Sequence, residues 1–127
     1  MDHSEGFLKL AEDARSRVHE ISPHEADERM RSSSNGGAAA IRLIDVREDH
    51  EWNDGHAAGA EHLGRGIIER DIERTVPDKT TEIILYCGGG YRSALAADNL
   101  QRIGYTNVHS MADGWKAWKA AELPMED

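Results

Sequence analysis

Apolar positions recur along this chain with two alternating periods. Phe7, Ala11, Ala14 and Val18 fall on one face of a 3.6-residue repeat, which predicts a helix over residues 5–19. Glu20-Ile21-Ser22 reads as a short strand. Ser22 followed by Pro23 reads as an N-cap with proline at the first helical position, opening a second helix that runs to Arg31. The tract Ser32-Ser33-Ser34-Asn35-Gly36-Gly37 predicts a surface loop. Beyond it, Ile41 to Val46 is a strand, Glu48 to Asp54 a short helix stopped at Gly55, and Gly59 to Leu63 a brief strand after a glycine turn. Ile67 to Arg74 predicts a helix. Ile83-Ile84-Leu85-Tyr86 is apolar at every position, the pattern of a strand covered on both faces. Ala96, Leu100 and Ile103 define one side of a helix over 93–103. Asn107 to His109 is a short strand, and Trp115 to Ala121 a last helix before Pro124. Alternation of strand and helix predicts an α/β fold around a mainly parallel sheet.

At 127 residues the chain is the length of one domain, large enough to bury a core without covalent staples. A formal net charge of −9 argues against a nucleic-acid binder, which needs clustered cations for its phosphate contacts, and disfavours anionic membrane surfaces. No apolar run approaches the roughly 20 residues of a membrane helix. The start, Met1-Asp2-His3-Ser4-Glu5, has no apolar segment and predicts no secretory signal. A single cysteine excludes an internal disulfide framework and a cysteine-rich zinc site, and fits a reducing cytoplasm.

That one cysteine opens the most informative segment, Cys87-Gly88-Gly89-Gly90-Tyr91-Arg92-Ser93. It follows the fully apolar strand and leads into a helix. Backbone N–H groups at a helix start favour an anion, and they favour a thiolate over a thiol. Three glycines let the backbone curl and turn its N–H groups inward. The expected geometry is Cys87 Sγ at the base of a shallow cup of amides. Arg92 is expected either to bind an anionic donor or to hold the loop down through a carboxylate, for which Asp45 is the candidate. Arg47 and Glu51, four residues apart, are expected to pair across the short helix. Ser93 reads as a helix cap and Tyr91 as a residue of the pocket mouth.

These residues, with several others in order, resemble single-domain rhodaneses, a family of sulfurtransferases. Leu43-Ile44-Asp45-Val46-Arg47 is similar to the family's strand ending in D-V-R. Glu51 with Gly55-His56-Ala57-Ala58-Gly59-Ala60 is similar to its E-x3-G-H-x2-G-A segment. Tyr86-Cys87 with Gly90, Arg92 and Ser93 is similar to its Y-C-x-x-G-x-R-S loop, and Gly114-Trp115 with Trp118 to its C-terminal segment. Two departures stand out: Asp113 replaces a frequent glycine, and Ala57-Ala58 stands where Ile-Pro is common. The resemblance covers about residues 20–124. It implies a rhodanese-like fold, with a five-stranded sheet flanked by helices on both faces and an extra N-terminal helix. Residues 1–19 would form a helical extension and 20–127 the rhodanese-like domain.

The implied activity is sulfane sulfur transfer through a persulfide on Cys87. The loop 88–93 would bind the donor and the persulfide, with Asp45 and Arg47 in support. The implied partners are a small sulfur donor such as thiosulfate and a thiol or protein acceptor, with no metal, organic cofactor, nucleic acid or membrane. Two alternatives compete. One is a cysteine phosphatase or arsenate reductase, which uses C-x5-R; the spacing here is C-x4-R. The other is a non-catalytic or persulfide-carrying interaction module. His50, His56 and His62 recur every six residues, on no common helix or strand face, so they predict no metal site. Trp52, Trp115 and Trp118 read as packing residues.

Overall fold

Five parallel strands form the centre of the fold. The structure, a computed structural model, describes residues 3–34 and 40–127. In chain order the elements are α1 (Glu5–Arg15), β1 (His19–Ile21), α2 (Pro23–Ser34), β2 (Arg42–Asp45), α3 (Asp49–Asn53), β3 (His56–Ala57), β4 (Glu61–His62), α4 (Ile68–Thr75), β5 (Ile83–Tyr86), α5 (Tyr91–Ile103), β6 (Val108–Met111), α6 (Gly114–Ala120) and β7 (Met125–Glu126). The main sheet has the order β1-β6-β5-β2-β4, with every pairing parallel. Strand β5 lies at its middle, and all four of its side chains are buried. Ile83 and Leu85 face a core built with Ile68 and Ile72 of α4 and Ala96, Ala97 and Leu100 of α5. Ile84 and Tyr86 face the opposite core, with Ala26 of α2 and Trp118 of α6. Each such fully buried side chain contributes about 1.5–3 kcal/mol, so a central strand needs apolar residues on both faces.

Helix α1 packs on α5 rather than on the sheet. Ala11 and Ala14 are its buried positions, and their small size lets the two helices approach. Arg17 fixes the arrangement with a forked bond to Asp98 of α5, at 3.1 and 2.8 Å. Among the described residues no helix is long and apolar enough to cross a membrane.

Several boundaries differ from the sequence expectation. The first helix ends at Arg15, where the Ser16 hydroxyl donates to Asp13 O. Residues 19–21 are taken into the sheet by pairing with β6, so Val18 reaches the core from a turn. Ser32 to Ser34, expected in a loop, continue α2; Asn35, Gly36 and Gly37 lie outside the described residues. The Ser22 hydroxyl does cap α2, accepting from Glu25 N at 3.1 Å. A second, antiparallel sheet of β3 and β7 was not expected. Its strands are two residues each, too short to show any period.

Candidate active site

The C-terminal end of β5 delivers Cys87 into a tight loop beneath α5. Gly90, at φ 98°, turns the chain into the helix through a left-handed conformation that favours glycine. The turn aims amides at the sulfur: Gly90 N donates to Cys87 Sγ at 3.1 Å and Ser93 N at 3.4 Å. Ser93 Oγ lies 3.5 Å from Sγ and 2.8 Å from Ser110 Oγ on β6. Both serines and the thiol are buried. The cup of amides expected around Sγ is therefore present. Ser93, however, does not cap α5. It lies within the first turn and its hydroxyl is engaged with the sulfur and Ser110.

Amides can face inward only if the carbonyls of the same loop are satisfied elsewhere. The start of α6 does this. Trp115 N donates to Cys87 O at 2.7 Å, and Lys116 N to Gly88 O at 3.1 Å. The contact is so close that a Cβ on Gly114 would lie 2.2 Å from Cys87 O. Asp113 precedes it at φ 59°, a left-handed position at home to glycine and tolerated by aspartate. This explains why the departure at 113 leaves the loop intact.

The two arginines exchange their expected partners. Arg92 Nη1 and Nη2 donate to Glu51 Oε1 and Oε2 at 2.7 and 3.1 Å. Arg92 thus clasps α3, and Asp45 is not its carboxylate. The Arg92 bond holds the Glu51 carboxyl down to about 2, against the opposing effect of its partial burial. Glu51 also accepts from Glu48 N at 3.1 Å, tying the start of α3. Asp45 instead binds Arg47, through Nη2 at 2.7 Å, Nε at 3.0 Å and the Arg47 backbone N at 2.8 Å. Arg47 further donates to Gly55 O at 2.7 Å and lies over the Trp115 ring. The expected Arg47–Glu51 pair is absent because Arg47 precedes α3 and is not on its surface. Both Asp45 and Arg47 are buried, so the pair is a structural support for the end of β2. Next to it Tyr86 Oη accepts from Ala57 N at 3.1 Å, and burial together with the Asp45 charge pushes the phenol well above its ordinary range.

A cavity of about 670 Å³ opens above the loop. Gly88, Gly89, Tyr91 and Arg92 line it, with Lys116 and Ala117 of α6 and with His3. Tyr91, expected at the pocket mouth, is among the residues that line the cavity. The Arg92 guanidinium is 3.1 Å from where a Gly88 Cβ would be, whereas a Cβ on Gly89 would meet nothing within 4 Å. The space beside Gly89 is therefore open. His56 is packed away from it, its ring stacked on Trp52 with centroids 3.4 Å apart and Nδ1 at 3.1 Å from Trp52 O. Among the described residues no group of three or more His, Cys, Asp or Glu side chains is placed to hold a metal. Sequence reasoning missed Ser110, Gly114 as a contact glycine, and His3. Glu51 had a signal, since it stood in the quoted E-x3-G-H segment; Ser110 had none.

Residues 22–121 match the sequence model of the Rhodanese-like domain. Uncharacterized protein YqhL of Bacillus subtilis is 33% identical over 82 residues, which are 65% of this chain and 64% of that protein's length. Thiosulfate sulfurtransferase GlpE of Coxiella burnetii is 31% identical over 80 residues, 63% of this chain and 73% of the relative. Among solved structures, RPA3614 of Rhodopseudomonas palustris superposes with a TM-score of 0.84 at 25% identity, covering 99% of this chain and 98% of its own. That protein is described as of unknown function and a possible tyrosine phosphatase. The family match spans strands β2, β4, β5 and β6 of the sheet with the thiol loop and α6, and the chain belongs to the rhodanese-like domain family.

Proposed function

We propose that the protein is a sulfurtransferase that carries sulfane sulfur as a persulfide on Cys87. The observation that carries this reading is the pair of amides, Gly90 N and Ser93 N, directed at Sγ at the start of α5. In the first step the Cys87 thiolate attacks the outer sulfur of a donor such as thiosulfate. A sulfur–sulfur bond forms, and sulfite leaves with the electron pair of the bond that breaks. In the second step a thiol or cyanide attacks the outer persulfide sulfur, and Cys87 departs as thiolate. Sulfur is anionic at the start and end of each step, and preorganised N–H donors stabilise it without rearrangement. No step calls for a metal or an organic cofactor. The similarity to a named thiosulfate sulfurtransferase supports the same reading.

The arginine argues against phosphate transfer. A phosphatase loop uses its arginine as a free fork for two phosphate oxygens. Here Arg92 Nη1 and Nη2 are both on Glu51, so the guanidinium is not a free fork, and the loop is one residue shorter than C-x5-R. The test is thiocyanate formation from thiosulfate and cyanide, with Cys87→Ser as control and phosphate release from an aryl phosphate measured on the same preparation. Cys87-dependent thiocyanate without phosphate release is expected. Cys87-dependent phosphate release would overturn the proposal.

A further inference from the structure

Helix α1 lies outside the matched family segment, yet its N-terminal end reaches the mouth of the thiol cavity. The His3 ring meets the Tyr91 ring edge-on, with centroids 4.9 Å apart. Phe7 stands behind, 5.2 Å from His3 and 6.0 Å from Tyr91. Arg15, at the other end of the helix, places its guanidinium carbon 5.9 Å from the Tyr91 ring centre. Tyr91 is the first residue of α5, four positions after Cys87, and its ring is thus held by α1. His3, Tyr91, Ala117 and Ala120 all line the cavity above the loop. A cavity of about 670 Å³ far exceeds what one sulfur atom or cyanide fills.

We propose that the His3–Phe7–Tyr91 cluster is a specificity wall, which seats the apolar body of an organic thiol acceptor while its sulfur approaches Cys87 over Gly89. This rests on the reading of Cys87 as the reacting sulfur. His3 is the wall residue and Phe7 positions it; neither takes part in the chemistry. An acceptor with an apolar body gains contact with the aromatic edge and with Ala117 and Ala120, whereas a small polar thiol gains none. Discrimination of this kind, built from a few apolar contacts, is worth on the order of tenfold.

The test uses the full chain and no sulfur donor, so it is separate from the test of sulfur transfer. Iodoacetamide and N-benzyl iodoacetamide carry the same electrophile, and only the second has an apolar body. Their rates of Cys87 alkylation are compared by intact-mass measurement in the wild type, His3→Ala and His3→Ala/Phe7→Ala. The wild type is expected to favour the benzyl reagent by about tenfold, with the ratio falling towards one in both variants. His3 is exposed, so the single variant reports on the wall even where loss of the half-buried Phe7 weakens the fold. A ratio unchanged by His3→Ala, a wild-type ratio near one, or a Cys87 that neither reagent reaches would each overturn the proposal. A normal ratio in a protein that makes no thiocyanate would overturn the sulfurtransferase reading and leave the wall standing.

Discussion

Gly114→Ala isolates the contact on which the loop geometry depends. A Cβ at this position would lie 2.2 Å from Cys87 O, 3.0 Å from Cys87 C and 3.1 Å from Gly88 C. All three are backbone atoms, so no side-chain rotation relieves the overlap. The backbone at 114 has φ +46°, where alanine costs about 1–2 kcal/mol on its own. Relief requires α6 to retreat by more than about 1 Å to reach an ordinary van der Waals separation. That movement breaks the bonds from Trp115 N and Lys116 N to Cys87 O and Gly88 O, each worth about 1 kcal/mol. The expected destabilisation is about 3–4 kcal/mol, read as a lower urea midpoint with an unchanged slope. Once the carbonyls are released, the amides of Gly90 and Ser93 lose their fixed aim, and thiocyanate formation should fall by at least about tenfold. Gly89→Ala is the stability control, because a Cβ there meets nothing within 4 Å; its unfolding free energy should change by less than about 0.5 kcal/mol. A Gly114→Ala protein within about 1 kcal/mol of the wild type, with full turnover, would refute the claim that α6 shapes the loop by close contact.

Other perturbations follow from the same geometry. Arg47→Met leaves the fully buried Asp45 without its cation and should cost about 3–5 kcal/mol in urea unfolding; a loss under about 1 kcal/mol would mean that the pair contributes nothing to the fold. Glu51 has a folded value near 2, below its unfolded one, so its contribution is complete above the unfolded value and is lost as pH falls through the folded one. The stability difference between wild type and Glu51→Gln should therefore be flat from about pH 7 to 5 and shrink between about pH 4 and 2, and a difference constant to pH 2 would contradict this. His109 has its imidazole held below the ordinary value by burial, partly offset by Glu82 at 2.9 Å and reinforced by Arg29 and His19. The unfolded chain then takes up the proton first, so stability is complete above about pH 6.5 and falls below it. His109→Gln should flatten the stability profile between about pH 7 and 5, seen in thermal melts at each pH. Asp113→Gly relieves a left-handed residue and should raise stability by up to about 1 kcal/mol, measured in urea.

The periodicity made the frame legible, because elements that bury whole faces must carry whole-face patterns. Strand β5 was readable to the residue, since all four of its positions are covered. The thiol loop was readable because glycine, cysteine and a following helix leave few alternatives. What escaped was set by tertiary placement. Strands β3 and β7 join residues 56–57 to 125–126 with one pair of short ladders, and no local pattern announces that pairing. The expected Arg47–Glu51 pair rested on helix spacing, which holds only for residues on one helix. Arg47 stands ahead of α3 and folds back on Asp45 two residues away, which frees Glu51 for an arginine 41 residues distant. Ser110 and His3 reach the site only because β6 lies beside β5 and α1 lies on α5.

The exchange of partners also explains how two arginines with the same chemistry serve different ends. Arg47 is buried between Asp45 and the Trp115 ring, and its bond to Gly55 O fixes the turn that follows α3. Helix α3 carries Glu51, and Glu51 holds Arg92 over Gly88. The end of β2 and the thiol loop after β5 are thus joined through α3 by charge-assisted bonds, while α6 grips the loop carbonyls from the other side. With its carbonyls turned to α6 and both Arg92 Nη atoms on Glu51 of α3, the loop offers the sulfur the amides of Gly90 and Ser93 and the Ser93 hydroxyl. Such a centre matches one anionic sulfur, which takes several weak donors from any direction, better than a phosphate, which asks for a free guanidinium fork. At the rim of the cavity Tyr91 belongs to the start of α5, and His3 to the residues just ahead of α1.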